Sequence, residues 1–112
     1  SAAGVMSLLM SGERDSKEVQ MGLEYLRRYP ASKFTSGDFF FYAHYYAVQA
    51  MYQAGDVQYQ EWYPKIRDAM QARQRKDGSW SGGGEEGDPT YATAMAILTL
   101  GVPYRYLPIY QR

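Results

Sequence analysis

Few residues in this chain have chemistry to offer. Glu85, Glu86 and Asp88 form an acidic group in a glycine-rich stretch, and His44, the single histidine, stands among aromatics. Carboxylates do general acid–base work when burial or a like-charged neighbour raises a pKa, and a polar, glycine-rich setting offers neither. The expectation is a solvated loop in which Asp88, followed by Pro89, caps a helix. His44 has the side chain of a general acid or base, yet no nucleophile and no orienting acid stands near it in sequence. A hydrogen-bonded core or interface histidine is the expected role. With no cysteine the chain has no thiolate nucleophile, no disulfide and no Cys-ligated zinc. No catalytic residue, metal set or cofactor is expected.

The remaining resource is aromatic: 12 Tyr, 4 Phe and 2 Trp in 112 residues. Phe41, Tyr45 and Tyr52 recur at helical spacing, and Phe39, Tyr42 and Tyr46 do so on another side. Such faces either pack neighbouring helices or line a site for an apolar or cationic ligand. A helix carrying aromatics on two sides must pack at least one of them, so core packing is the first expectation. Phe41, His44, Tyr45, Tyr52 and Tyr91 are the candidates for lining a ligand. Twelve Lys+Arg against twelve Asp+Glu leave a formal charge of 0, so no basic excess exists to neutralise a nucleic acid. No apolar run reaches the roughly 18 residues a membrane span requires. The absence of Cys fits any compartment, and none is assigned.

The patterning around these residues is helical throughout. Val5, Met6, Leu8, Leu9 and Met10 are apolar on every side of a short helix that Gly12 ends, with no capping residue before Ser1. A second helix opens at Asp15 or Ser16, with Glu18 completing a capping-box spacing, and runs to Arg28 before Pro30. Its face is Val19, Gly22, Leu23 and Leu26. Lys33 to Gly37 reads as a loop, after which Asp38 caps a long helix, Phe39 to Ala54, closed by Gly55. Apolar residues surround that helix, so it should be central. After Asp56 comes an amphipathic stretch with Trp62, Ile66, Ala69 and Met70 on one face, Pro64 in the first turn of its main part, and an end near Gln74. Tyr91 to Leu100 forms a small apolar helix ended by Gly101, and the tail from Val102 to Arg112, with two prolines, should be irregular.

These elements recur. Gly12, Gly55 and Gly101 each close an apolar helix, at spacings of 43 and 46 residues. A shift of 43 superposes Val19, Leu23 and Leu26 on Trp62, Ile66 and Ala69, and a shift of 45 superposes the segment from Tyr46 to Met51 on that from Tyr91 to Ala96. The unit is a helix pair of about 45 residues, a period that also suits helical solenoids.

Gln74, Gly78 and Trp80 sit between one unit and the next, in the run Gln-Arg-Lys-Asp-Gly-Ser-Trp. Physically this reads as a structural clamp. Gln74 satisfies carbonyls at a helix end, Gly78 permits a positive φ, and Trp80 covers the amide and seals the gap to the next helix. The spacing resembles the Gln–Trp repeat of the terpene cyclase and prenyltransferase superfamily. A Gly-Leu-Glu-Tyr-Leu segment at 22–26, the Tyr-Ala-x-Gln-Ala-Met run at 46–51 and the closing Tyr104-Arg105-Tyr106-Leu107-Pro108 are similar to uncharacterised bacterial prenyltransferase and squalene-oxidase repeat proteins.

The resemblance implies an all-α, partial α/α toroid of about two and a half helical-hairpin repeats, a single segment over residues 1–112 cut from a longer protein. It also implies where chemistry would come from. Family cyclases protonate a polyene from an Asp-x-Asp-Asp cluster, and related protein prenyltransferases hold zinc through Asp, Cys and His; this sequence has neither set. The leading expectation is a non-catalytic scaffold or binding segment, for an apolar isoprenoid-like ligand or a protein partner. The alternative is one wall of a terpene-cyclase-like enzyme whose acid lies outside these residues. Complement-like thioester toroids need a Cys-Gly-Glu-Gln that is absent. An uncovered first helix, Ser1 to Ser11, would leave its apolar residues in water and favour a homodimer.

Overall fold

The computed structural model describes residues 2–28, 39–83 and 86–104. Across them run helices α1 (Ala2–Met10), α2 (Lys17–Arg28), α3 (Phe40–Ala54), α4 (Asp56–Arg73) and α5 (Pro89–Gly101), followed by a 3-10 turn, Val102–Tyr104. No strand occurs among the described residues, and the fold is all-α. No described helix is long and apolar enough to cross a membrane.

Local chemistry sets most of the boundaries. At the end of α1 the Glu13 N–H donates to the Leu8 carbonyl and the Gly12 N–H to that of Leu9, the paired bonds of a Schellman cap. Gly12 stands at φ 92°, a conformation that costs a residue with a side chain. Ser16 opens α2, its hydroxyl accepting the Val19 N–H at 3.2 Å. Asp88 does the same for α5, accepting the Thr90 N–H at 2.9 Å with Pro89 at the first helical position.

Helix α3 is the hub: α1, α4 and α5 all pack on it, while α2 lies mainly on α1. Its buried set includes Phe40, Phe41, His44, Ala47, Val48, Ala50, Met51 and Tyr52. The two amphipathic helices turn their apolar stripes inward, Val19, Leu23 and Leu26 from α2 and Tyr59, Trp62, Ile66 and Met70 from α4. Gly22 lets α1 and α2 approach closely, since a Cβ there would collide with the Val5 Cγ2. Arg14, in the α1–α2 turn, donates to both the main-chain and side-chain oxygens of Gln53 at 3.0 Å, tying that turn to the far end of α3. Arg27 of α2 meets Glu61 of α4 at 2.6 Å on a half-exposed surface, where such a pair contributes little.

Four sequence expectations change. Helix α1 is not bare: Val5, Met6 and Leu9 are buried beneath α2 and α3, and of the five apolar residues only Met10 is exposed. The area on which a homodimer through that helix rested is largely used within the chain. Pro64 lies in the middle of α4 rather than in a first turn, because the helix begins at Asp56 and runs through it. Gly101 does not stop α5; it is its last residue, and Val102 continues in a right-handed conformation into the 3-10 turn. Only Gly12 and Gly55 of the three spaced glycines have positive φ, so α5 ends differently from α1 and α3. Asp38, the 33–37 loop and the tail beyond Tyr104 lie outside the described residues.

Candidate functional site

The Gln74–Trp80 run is a tight turn between α4 and α5. Gly78 sits at φ 88°, and its N–H donates to the Arg75 carbonyl at 2.9 Å. The Gln74 amide donates to the Gly78 carbonyl at 2.9 Å, so it braces the turn and does not reach the helix-end carbonyls. That duty falls to Trp80, whose buried indole N–H donates to the Met70 carbonyl at 2.8 Å. Met70 is in the last turn of α4, where carbonyls have no helical partner. The Trp80 N–H donates to the Thr93 hydroxyl at 3.0 Å, binding the turn to α5 as well. The Ser79 hydroxyl and N–H both donate to Asp77 and hold its carboxyl below the usual carboxylate range. This run is a joint between helices.

His44 lies in the α3–α4 interface. Its Nδ1 is 2.7 Å from the Phe40 carbonyl, and its ring stacks near Trp62, centroids 6.0 Å apart. The Nδ1 contact with a carbonyl requires a proton on Nδ1. Burial, followed by the nearby Arg73 charge, lowers its pKa from 6.5 to about 4 even though the Phe40 carbonyl pulls the other way. At neutral pH it is an uncharged core residue. Arg73 itself lies over the Phe40 ring, 3.8 Å from its centroid.

The candidate lining residues divide into two groups. Phe41, His44 and Tyr52 are almost completely enclosed and pack between helices, Tyr52 edge-on to Tyr59 at 5.3 Å. Tyr45 and Tyr91 are half-buried at the surface. Beside them stand Tyr42, which is exposed and roughly opposite Phe40 and His44 around α3 at about 100° per residue, and Tyr46, which is half-buried and roughly opposite His44. Tyr42 meets Tyr46 edge-on at 5.0 Å, and Tyr46 meets Tyr45 at 5.1 Å. Burial, then the Glu86 charge, then Tyr42 and Tyr46 raise the Tyr91 phenol pKa, which puts α5 and α3 tyrosines in one electrostatic neighbourhood. The face is therefore Tyr42, Tyr45, Tyr46 and Tyr91. The side of α3 bearing Tyr42 and Tyr46 is readable as a stripe in sequence, but which stripe is packed depends on where α4 sits.

Glu86 departs most from expectation. It is buried, 2% exposed, and its two carboxylate oxygens accept the N–H groups of Phe41 and Tyr42 at 3.1 and 2.8 Å. The loop glutamate thus serves the N-terminus of α3, where Phe39, at φ 52°, provides no side-chain cap. Glu85 lies outside the described residues. A shallow groove of about 290 Å³ between α2 and α4, lined by Glu24, Arg27, Arg28, Glu61, Trp62 and Lys65, holds none of the sequence candidates.

Comparison with known proteins finds no family model, no curated protein and no solved structure that matches the chain.

Proposed function

We propose that this chain is a non-catalytic segment of an α/α-toroid repeat protein, akin to the terpene cyclase and prenyltransferase superfamily, whose tyrosine face binds an apolar, isoprenoid-like molecule. The observation carrying this reading is the tyrosine face itself. Tyr42, Tyr45, Tyr46 and Tyr91 stay at the surface on two apolar helices while Phe40, Phe41 and Tyr52 fill the core. Aromatic side chains offer large apolar contact area with a polar tip, a composition suited to a chain-like hydrocarbon bearing one polar end. The Gln74, Gly78 and Trp80 joint supports the repeat reading, since Gln74 braces the turn and Trp80 bonds it to α4 and to α5. Against catalysis by these residues stands their state: His44 is enclosed and neutral, and Glu86 spends both oxygens on backbone N–H groups.

Calorimetric titration of the intact chain with farnesol tests the reading. Saturable binding, weakened at least fivefold by Tyr46→Ala, is expected. No heat up to the solubility limit overturns it in favour of a scaffold or protein-binding role. Incubation with squalene or farnesyl diphosphate should yield no product by mass spectrometry; turnover would favour the enzyme alternative.

A further inference from the structure

We infer that Glu86 is a positioning residue whose side chain clasps the first turn of α3 to Gly82 and Gly83, so that these glycines and the tyrosine face are ordered as one unit.

A helix N-terminus leaves its first N–H groups without helical partners, and a neighbouring residue ordinarily takes them. Among the described residues Phe39 precedes α3, and it is in the left-handed region with no side-chain cap bond. The acceptor comes instead from 45 residues further along: Glu86 takes the Phe41 N–H with one oxygen and the Tyr42 N–H with the other. A carboxylate there also complements the positive end of the helix dipole. Glu86 is equally fixed on its own side. Its N–H donates to the Gly83 carbonyl at 3.1 Å and its carbonyl accepts the Gly82 N–H at 3.0 Å. A Cβ at Gly82 would stand 2.8 Å from both the Cβ and the carbonyl oxygen of Glu86, closer than real contacts permit. Tyr42, the first tyrosine of the face, is thus bonded through its own backbone to a residue that Gly82 holds in place. The inference borrows from the proposed binding role only the identity of that face, and its test reads backbone order, so clasp and binding fail separately.

Amide hydrogen exchange on the intact chain, read residue by residue by NMR, tests the clasp. The decisive variant is Gly82→Ala, whose new methyl meets Glu86 before any other residue. Exchange at Phe41 and Tyr42 should accelerate at least tenfold while Val48 to Met51 in the middle of α3 stay within twofold of the parent. Glu86→Gln, which keeps the volume but leaves one acceptor oxygen, should accelerate Phe41 or Tyr42 and also Gly82; if Gly82→Ala does not fold, this variant decides. Unchanged exchange at Phe41 and Tyr42 in Gly82→Ala, or, where Glu86→Gln decides, acceleration confined to α3 with Gly82 unaffected, would overturn the inference and leave Glu86 as a simple cap.

Discussion

The indole N–H of Trp80 donates to the main-chain carbonyl of Met70 at 2.8 Å, closing the open end of α4 from ten residues downstream. One side chain therefore satisfies a buried helix-end acceptor and fills the gap between α4 and α5. Trp80→Ala should destabilise the chain by about 3–5 kcal/mol, the loss typical of a large buried aromatic. Trp80→Phe should cost less, but still about 1–3 kcal/mol, because it leaves the Met70 carbonyl buried without its donor. Chemical denaturation measures both. A loss under about 1 kcal/mol for Trp80→Ala would contradict the joint described above.

Gly22 lets the backbone of α2 come close to Val5 of α1. Elsewhere in a helix, Gly→Ala adds up to about 1 kcal/mol of stability. Here the new methyl collides with Val5, and overpacking should reverse the sign, to a loss of about 1–3 kcal/mol. The pair should also be coupled: Gly22→Ala in a Val5→Ala background should recover stability, with an interaction of at least ~0.5 kcal/mol in a double-mutant cycle. Simple additivity would show that α2 shifts freely on α1.

His44 is pushed down from 6.5 to about 4 by burial first and Arg73 second. The unfolded chain therefore binds a proton that the folded chain refuses between those two values. Stability should rise with pH from about 4 to about 6.5 and be flat, for this group, above that. The full penalty below pH 4 is of the order of 3 kcal/mol. Denaturation at a series of pH values, repeated with His44→Gln, gives the check. The variant should lose most of that slope; an unaltered slope would assign the dependence to carboxylates instead.

The helices and their caps were legible because the signals are local. Ser16, Asp88 with Pro89, and Gly12 each act within a few residues of where they stand. The central place of α3 was legible too, since no other segment is aromatic on so many sides. What sequence reading missed is non-local. Glu86 looks like any loop glutamate until the fold brings it against a helix that begins 46 residues earlier, and Phe39, which makes no side-chain cap bond, gives no sign of that distant acceptor. The same holds for the aromatic stripes: Phe41 and Tyr52 have the spacing of a lining as fully as Tyr42 and Tyr46 do, and only the docking of α4 and α5 decides which pair is enclosed. Pro64 suits a first turn because helix interiors usually reject it, yet α4 accepts it mid-helix.

The most direct measurement of the binding role is a titration of the chain with farnesol followed by the aromatic NMR resonances of assigned tyrosines. The expected result is saturable shifts at Tyr42, Tyr45, Tyr46 and Tyr91, with Tyr52 and Tyr59, packed between α3 and α4, unmoved. Shifts confined to the α2–α4 groove around Trp62, or no shift at any tyrosine, would contradict it.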